Sequence, residues 1–289
     1  MGIFDFDDKQ IDISIRKEIR RWIRAHYRGI LKLSKNVNSQ GKYEASSCRR
    51  IEVIDKSIEH LTNGLFIWTE VREYFDCSRC QNLKSLEGAP RKVGGDFNCN
   101  SCISLESLHG APNEVGGDFD CSGCKNLKTL RGSPKAVGYQ FNCDEANIEN
   151  LDGISQVVHS IRCNFTSIKS LTGAPREIAG DFNCYGCKSL LTLDGAPKYV
   201  GGSFDCSRCY TITSLIGAPG RVDGNFMCND CLSLSSLEGA PSIVGDGLYC
   251  SGCIQLNSQS EFKVLPTYNN KHISLQYCST NIKLNYEHI

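Results

Sequence analysis

Three observations predict a β-rich solenoid. An apolar residue, usually Phe, recurs two residues before a Cys at Phe75, Phe97, Phe119, Phe141, Ile161, Phe182, Phe204, Phe226 and Leu248. Seven of the eight spacings between these starts are 21 or 22 residues, and one is 20. Each unit sets apolar residues first at alternate positions and then at every third, and closes on Gly-Ala-Pro and Gly-Gly in its regular copies. A fixed period with this pattern is the signature of stacked repeats, because one unit cannot bury its apolar edge alone. The expected architecture is a stack of about nine repeats of 20–22 residues with a cap at each end.

The N-terminal cap is expected over residues 1–70. Ile15, Ile19, Trp22, Ile23 and His26 share one helical face, while Arg16, Lys17, Arg20, Arg21, Arg24 and Arg28 lie mostly around the other side. Ser39-Gln40-Gly41 reads as a turn. Tyr43 to Val53 reads as short extended segments, and Ile58 and Leu61 as a degenerate first repeat. The first 70 residues hold 13 basic and 10 acidic residues, against 19 and 22 in the remainder, so the basic helix is a local feature. It is read as the solvated face of a capping helix, with a nucleic-acid or acidic-partner contact as the alternative.

The solenoid proper is expected over 71–256. One copy runs Phe97-Asn98-Cys99-Asn100-Ser101-Cys102-Ile103-Ser104-Leu105-Glu106-Ser107-Leu108-His109-Gly110-Ala111-Pro112 and on to Val115-Gly116-Gly117-Asp118. Phe and Cys at alternate positions suit a short strand with both side chains inward. The second Cys and the two leucines carry the inward set around a bend, Gly-Ala-Pro makes a corner, and Val points inward again. Gly-Gly permits a tight return. Beyond it, residues 257–289 are expected to form a short β cap, with alternation on both sides of Ser279-Thr280-Asn281.

The string F-x-C-x-x-C-x-x-L-x-x-L resembles the leucine-rich-repeat pattern, its second Cys falling where that family places an Asn or Cys ladder. The longer string S-L-x-G-A-P-x-x-V-G-G-D-F-x-C, over about residues 65–256, is similar to repeat arrays in proteins of tailed bacteriophages. The resemblance implies a leucine-rich-repeat-like stack, a binding role, and a phage setting. Two copies depart from the pattern. After Cys143 and after Cys163 the second Cys is replaced, by Ala146 and Thr166, and one following residue is missing. Both also lose Gly-Gly, with His159-Ser160 and Ala179-Gly180 in its place.

Seven C-x-x-C pairs lie among the 18 cysteines, from Cys77/Cys80 to Cys250/Cys253. Repeated C-x-x-C is ordinarily a zinc signal. Here both cysteines of each pair fall on buried repeat positions, so they are read as two packing ladders, with no metal and no cofactor expected. Stacked thiols could cross-link on oxidation, which suggests a reducing, cytoplasmic setting, that of a host cell if the chain is phage-encoded. No secretory leader is read at the N-terminus and no apolar run is long enough to span a bilayer. Asn164-Phe165-Thr166 is a glycosylation sequon expected to stay unused.

No phosphate-binding, dinucleotide, zinc-protease or nucleophile-elbow motif is present, and the six histidines are scattered, so no catalytic residue is assigned and no enzyme activity is expected. The balance of 32 basic and 32 acidic residues argues against a dedicated nucleic-acid or membrane-surface protein. What remains is a binding module. On the outward strand positions most copies carry small polar residues, such as Asp76, Asn98, Ser122, Asn142, Ser207 and Asn229, read as the solvated default. The exceptions are Arg162, Asn164, Phe165, Tyr185, Arg208, Met227 and Tyr249, which form the candidate protein-binding surface. The expected function is engagement and inhibition of a host protein, for instance a defence component. A self-assembling virion-associated protein, and a small-molecule or nucleotide sponge, are the alternatives.

Overall fold

The computed structural model describes residues 8–256 and 273–274, with side chains from residue 13 to residue 256. Within that range the chain makes a single helix, α1 (Asp8–His26), followed by short strands that stack coil upon coil. The stack is a β-solenoid of about nine coils.

Each coil begins on a short strand that holds the apolar start; the strand is two residues long in most coils and longer at Ala136–Asn142 and Val157–Arg162. These strands pair in parallel and in strict register: Phe75 with Phe97, Phe97 with Phe119, and Phe119 with Phe141. The ladder continues through Ile161, Phe182, Phe204 and Phe226 to Leu248. A register fixed at one repeat length places like side chains above like. The rings of Phe75, Phe97, Phe119 and Phe141 therefore stack at centroid distances of 5.5, 5.4 and 5.1 Å. Those of Phe182, Phe204 and Phe226 stack at 5.2 and 5.3 Å, and Ile161 separates the two columns. The spacing is set by the strand separation of about 4.8 Å, which lies within the range where aromatic pairs attract.

The Val position of each coil forms a second ladder. It runs from Glu70–Val71 through Val93, Val115 and Val137 to Val158. Another runs from Glu177–Ile178 through Val200 and Val222 to Val244. Among the described residues no pairing joins the two runs. The gap falls where the coil of Phe141 closes with one residue fewer, and its register with the preceding coil is irregular between Val137 and Gln140.

The corners are steric necessities. Gly110 sits at φ +86°, and a Cβ there would lie 2.4 Å from the Glu87 Cα of the coil beneath. A Cβ on Gly116 would lie 2.1 Å from the Gly94 carbonyl oxygen. Gly-Ala-Pro and Gly-Gly thus mark the two places where successive backbones come closest.

Both cysteines of all seven C-x-x-C pairs are fully buried, and all described cysteines are free thiols. The second Cys has a specific partner. Cys102, Cys124, Cys209, Cys231 and Cys253 each donate the thiol hydrogen to the carbonyl of the first Cys one coil earlier, at 3.1–3.3 Å. This satisfies a carbonyl in the dry interior, where an orphaned acceptor costs about 1–3 kcal/mol. Thr166 departs from this scheme: its hydroxyl donates within its own coil to Cys163 O at 2.8 Å, a carbonyl that also accepts the Cys187 thiol of the next coil at 3.1 Å, and it lies 3.2 Å from that thiol.

At the N-terminal end Tyr27–Gly29 pairs antiparallel with Ile51–Val53 and covers the first strand edge, while Lys32–Leu33 pairs antiparallel with Ala45–Ser46. Ile51 pairs in parallel with Phe75, and Ile51, Val53, Ile58 and Leu61 are all buried, so a degenerate coil does precede the regular ones. Ile19 and Ile23 of α1 are buried against this coil, and the Tyr27 hydroxyl donates to Leu61 O at 2.6 Å. At the other end Ile273–Ser274 pairs in parallel with Leu248–Tyr249. The rest of the expected β cap, including the alternation around Ser279, lies outside the described residues.

Candidate functional site

Three parallel columns of side chains run along the aromatic edge of the solenoid. The first column is the residue after each aromatic start, the second is the residue after the first Cys, and the third is the residue after that.

The first column has a structural role that its sequence does not announce. Asp76, Asn98, Asp120 and Asp205 each accept the backbone N–H two residues on, at 2.8–2.9 Å. These are Asx turns, which lead the chain out of the strand. The small polar residues expected to be a solvated default are therefore largely turn-formers, and Ser207 in the second column is buried.

Three coils lack an Asx at the first column and carry Arg162, Met227 and Tyr249 instead. There the exposed N–H is taken by a second-column side chain of the coil before. Asn164 N donates to Asp144 Oδ1 at 2.7 Å, Asn229 N to Ser207 Oγ at 3.0 Å, and Ser251 N to Asn229 Oδ1 at 2.9 Å. Cross-coil capping thus releases the first column from its structural task in those three coils, where a large side chain stands.

The third column is held in the left-handed region in every coil. Gly123, Gly186 and Gly252 have φ between 68° and 77°. The remaining positions are not glycine: Arg79, Ser101, Glu145, Phe165, Arg208 and Asp230 have φ between 55° and 60°. A non-glycine residue in this conformation costs about 1–2 kcal/mol, and an aromatic there is uncommon. Phe165 is the bulkiest and is 56 % exposed. Its ring occupies the space left by Gly186, where a Cβ would lie 2.6 Å from the ring edge.

Around Phe165 the columns converge into one ridge. Phe165 and Tyr185 meet edge-on at 5.3 Å between centroids. The Arg208 guanidinium lies 5.5 Å from the Tyr185 ring on the next coil and pairs with Asp230 at 3.3 Å. On the same coil as Phe165, Arg162 reaches back to Asp144 of the coil before, with Nη2 at 2.7 Å and Nε at 3.1 Å from Oδ2. Met227 and Tyr249 are register neighbours further along the first column. Exposed aromatic and Arg side chains on a rigid backbone lose little freedom when a partner covers them.

Asn164 has to be removed from the expected surface. It is 5 % exposed, and its side-chain oxygen accepts Tyr185 N–H at 2.8 Å. It ties coils together beneath the ridge, and because Thr166 is buried with it, the glycosylation sequon is closed in the folded chain. Reading the sequence misses Asp144, Asp230 and Gly186. The available signal was an acidic residue at a second-column place usually held by Ser or Asn, and the return of glycine in every third coil of the third column.

A polar cleft of about 630 Å³ opens beside the coil of Phe141, lined by Lys128, Arg131, Asn147, Glu149, Asn150 and Asp152 among others. No aromatic side chain lines it, so it lacks the stacking surface that a nucleotide-binding pocket would use. Among the described residues no group of three or more His, Cys, Asp or Glu is set to hold a metal ion, and no helix is long and apolar enough to cross a membrane. Burial raises the thiol pKa of Cys77, Cys121 and Cys143 well above the usual range, and that of Cys184 to about 12, so these groups are neutral packing thiols and not nucleophiles. No protein-family model, curated protein or solved structure matches the chain, and what the structure shows is a stacked β-solenoid with a repeat of about 22 residues.

Proposed function

We propose that the chain is a binding module that engages a protein partner through the ridge of Arg162, Phe165, Tyr185, Arg208, Met227 and Tyr249. The observation that carries this reading is Phe165: a large aromatic, mostly exposed, kept in a conformation that costs stability and braced by Tyr185. Strain retained at an exposed position is expected where a contact outweighs it. The resemblance to tailed-phage repeat arrays adds the finer reading, a phage factor that engages and inhibits a host protein in the host cytoplasm. The buried free thiols fit a reducing compartment.

The test is affinity capture from host lysate with the wild-type chain and with a Phe165→Ala/Tyr185→Ala/Tyr249→Ala variant. One stoichiometric partner, weakened about tenfold or more by the triple change at an unaltered unfolding midpoint, is the expected result. Equal capture by both forms contradicts the ridge. Self-association alone, seen as a multiple of the monomer mass on size exclusion, favours the virion-associated alternative.

A further inference from the structure

The charge of the N-terminal cap is not spread as the chain-wide balance implies. Residues 13–50 hold eleven Lys and Arg and two acidic residues, Glu18 and Glu44. The acidic residues that offset them in the first 70 lie before residue 13 or after residue 50.

The fold gathers this excess onto one surface. Lys17, Arg20, Arg21 and Arg24 recur at spacings of three, one and three, which aligns them along the outer side of α1, Arg28 follows on the strand Tyr27–Gly29, and all five are exposed. The helical part of the stripe, Lys17 to Arg24, spans about 10 Å at a rise of 1.5 Å per residue. Arg16 extends it sideways: its guanidinium donates to the Lys35 carbonyl at 3.0 Å and, with the same nitrogen, to Ser34 O, holding the segment with Lys32 and Lys35 against the helix. Of the five stripe residues Arg28 has an acidic neighbour, Glu52, at a loose 3.5 Å.

Three features narrow the ligand. The apolar face of α1 is already committed, with Ile19 and Ile23 buried in the solenoid end, so the helix cannot lay that face into a bilayer as a membrane-surface helix does. Among the described residues the aromatics of the cap are also committed: Tyr27, Tyr43, Phe66 and Trp68 are buried, and Trp22 stacks on His26 and packs edge-on against Phe66. These residues leave no stacking platform for the bases of a single strand. What remains is a rigid row of mostly arginine cations, suited to a regular lattice of phosphates. A duplex presents about one phosphate charge per 1.7 Å of axis, roughly six over the helical part of the stripe.

We infer that this basic cap binds the phosphate backbone of double-stranded nucleic acid without reading base sequence. The proposal departs from the expectation drawn from net charge, because binding depends on local charge density and not on the chain total. It is separate from the ridge, which lies on coils far along the stack.

Fluorescence anisotropy with the full chain tests it, using labelled DNA and RNA duplexes of about 20 base pairs at about 50 and 200 mM salt. With four phosphate contacts, affinity is expected to fall roughly a hundredfold between the two salt levels. An Arg20→Gln/Arg21→Gln/Arg24→Gln variant, all at exposed positions, is expected to lose at least tenfold in affinity and about three units of salt slope, with an unchanged unfolding midpoint. Binding by either duplex supports the inference, and the ratio between the two identifies the source. No saturable binding at the lower salt overturns it, as does unaltered binding by the triple variant. Tighter binding to the matching single strand, or to vesicles containing about 30 % anionic lipid, also overturns it. The Phe165 variant keeps duplex binding and the arginine variant keeps partner capture, so failure of one proposal is distinguishable from failure of the other.

Discussion

The coil that starts at Phe97 looks after itself. Asn98 accepts the Asn100 N–H, Gly116 and Gly117 close the corner, and the Phe97 ring continues the stack. The coil that starts at Ile161 depends on its neighbours. Its Asx is replaced by Arg162, its capping bond comes from Asp144 one coil earlier, and its aromatic is replaced by Ile161. The difference teaches where chemistry can accumulate on a repeat. A self-sufficient coil has no spare position on its strand edge, whereas a coil supported from outside can place Arg162 and Phe165 there.

The largest expected effect sharpens the contrast in the core. Phe204→Ala removes a ring from the middle of a three-ring stack and is expected to destabilise by about 3–5 kcal/mol, while Ile161→Val, at the break between stacks, should cost about 0.5–1.5 kcal/mol. Denaturant unfolding monitored by circular dichroism compares them. Similar losses would show that the ring stack is not what distinguishes the two regions.

The next effect concerns the cross-coil cap. Asp144→Ala withdraws the acceptor of Asn164 N–H and the partner of Arg162, with an expected loss of about 1–3 kcal/mol. Met227→Asp, in a coil whose N–H is already taken by Ser207, is expected to change stability by less than about 0.5 kcal/mol. A large gain from Met227→Asp would mean that the first column had not been released.

A pH series probes the thiols. Burial raises the folded-state pKa of Cys77, Cys121, Cys143 and Cys184 above the unfolded value of about 8.5. A group raised in this way contributes its full stability below the unfolded pKa and loses it as pH climbs towards the folded one. The contribution of these four thiols to the unfolding midpoint should therefore be constant up to about pH 8 and then fall. Replacing Cys77 and Cys121 by Ala should flatten the alkaline limb, even as it lowers the plateau. The smallest effect is at Arg208→Gln, which is expected to leave the unfolding midpoint unchanged while weakening partner capture.

The solenoid was legible because its period is carried by residues with one task each: Phe and Leu inward, Gly at the close approaches, Pro at a corner. The degenerate coil was legible from Ile58 and Leu61 for the same reason. The candidate site was legible only as a set of exceptions. Phe165, Tyr185 and Arg208 do come together on adjoining coils, because equal repeat offsets become neighbours in space. Asn164 was misplaced because alternation says which way a side chain leaves a strand, and this residue has already left the strand for the turn. The left-handed column was hidden for a related reason. Glycine appears there in three coils, and sequence alone does not reveal that Arg79 and Phe165 adopt the same backbone.

The side-chain caps of the second column point one way. Asp144 serves Asn164, Asn164 serves Tyr185, Ser207 serves Asn229, and Asn229 serves Ser251. Each acceptor belongs to the earlier coil and each N–H to the later one. For these caps a chain emerging from the ribosome meets its acceptors already in place, whereas the backbone ladder beside them runs the other way, with the N–H groups of Cys77 and Cys99 completed by the Asn98 and Asp120 carbonyls of the following coil. Shortening the chain from its C-terminal side takes no such cap from the coils that stay, whereas excising an early coil strips the one that follows.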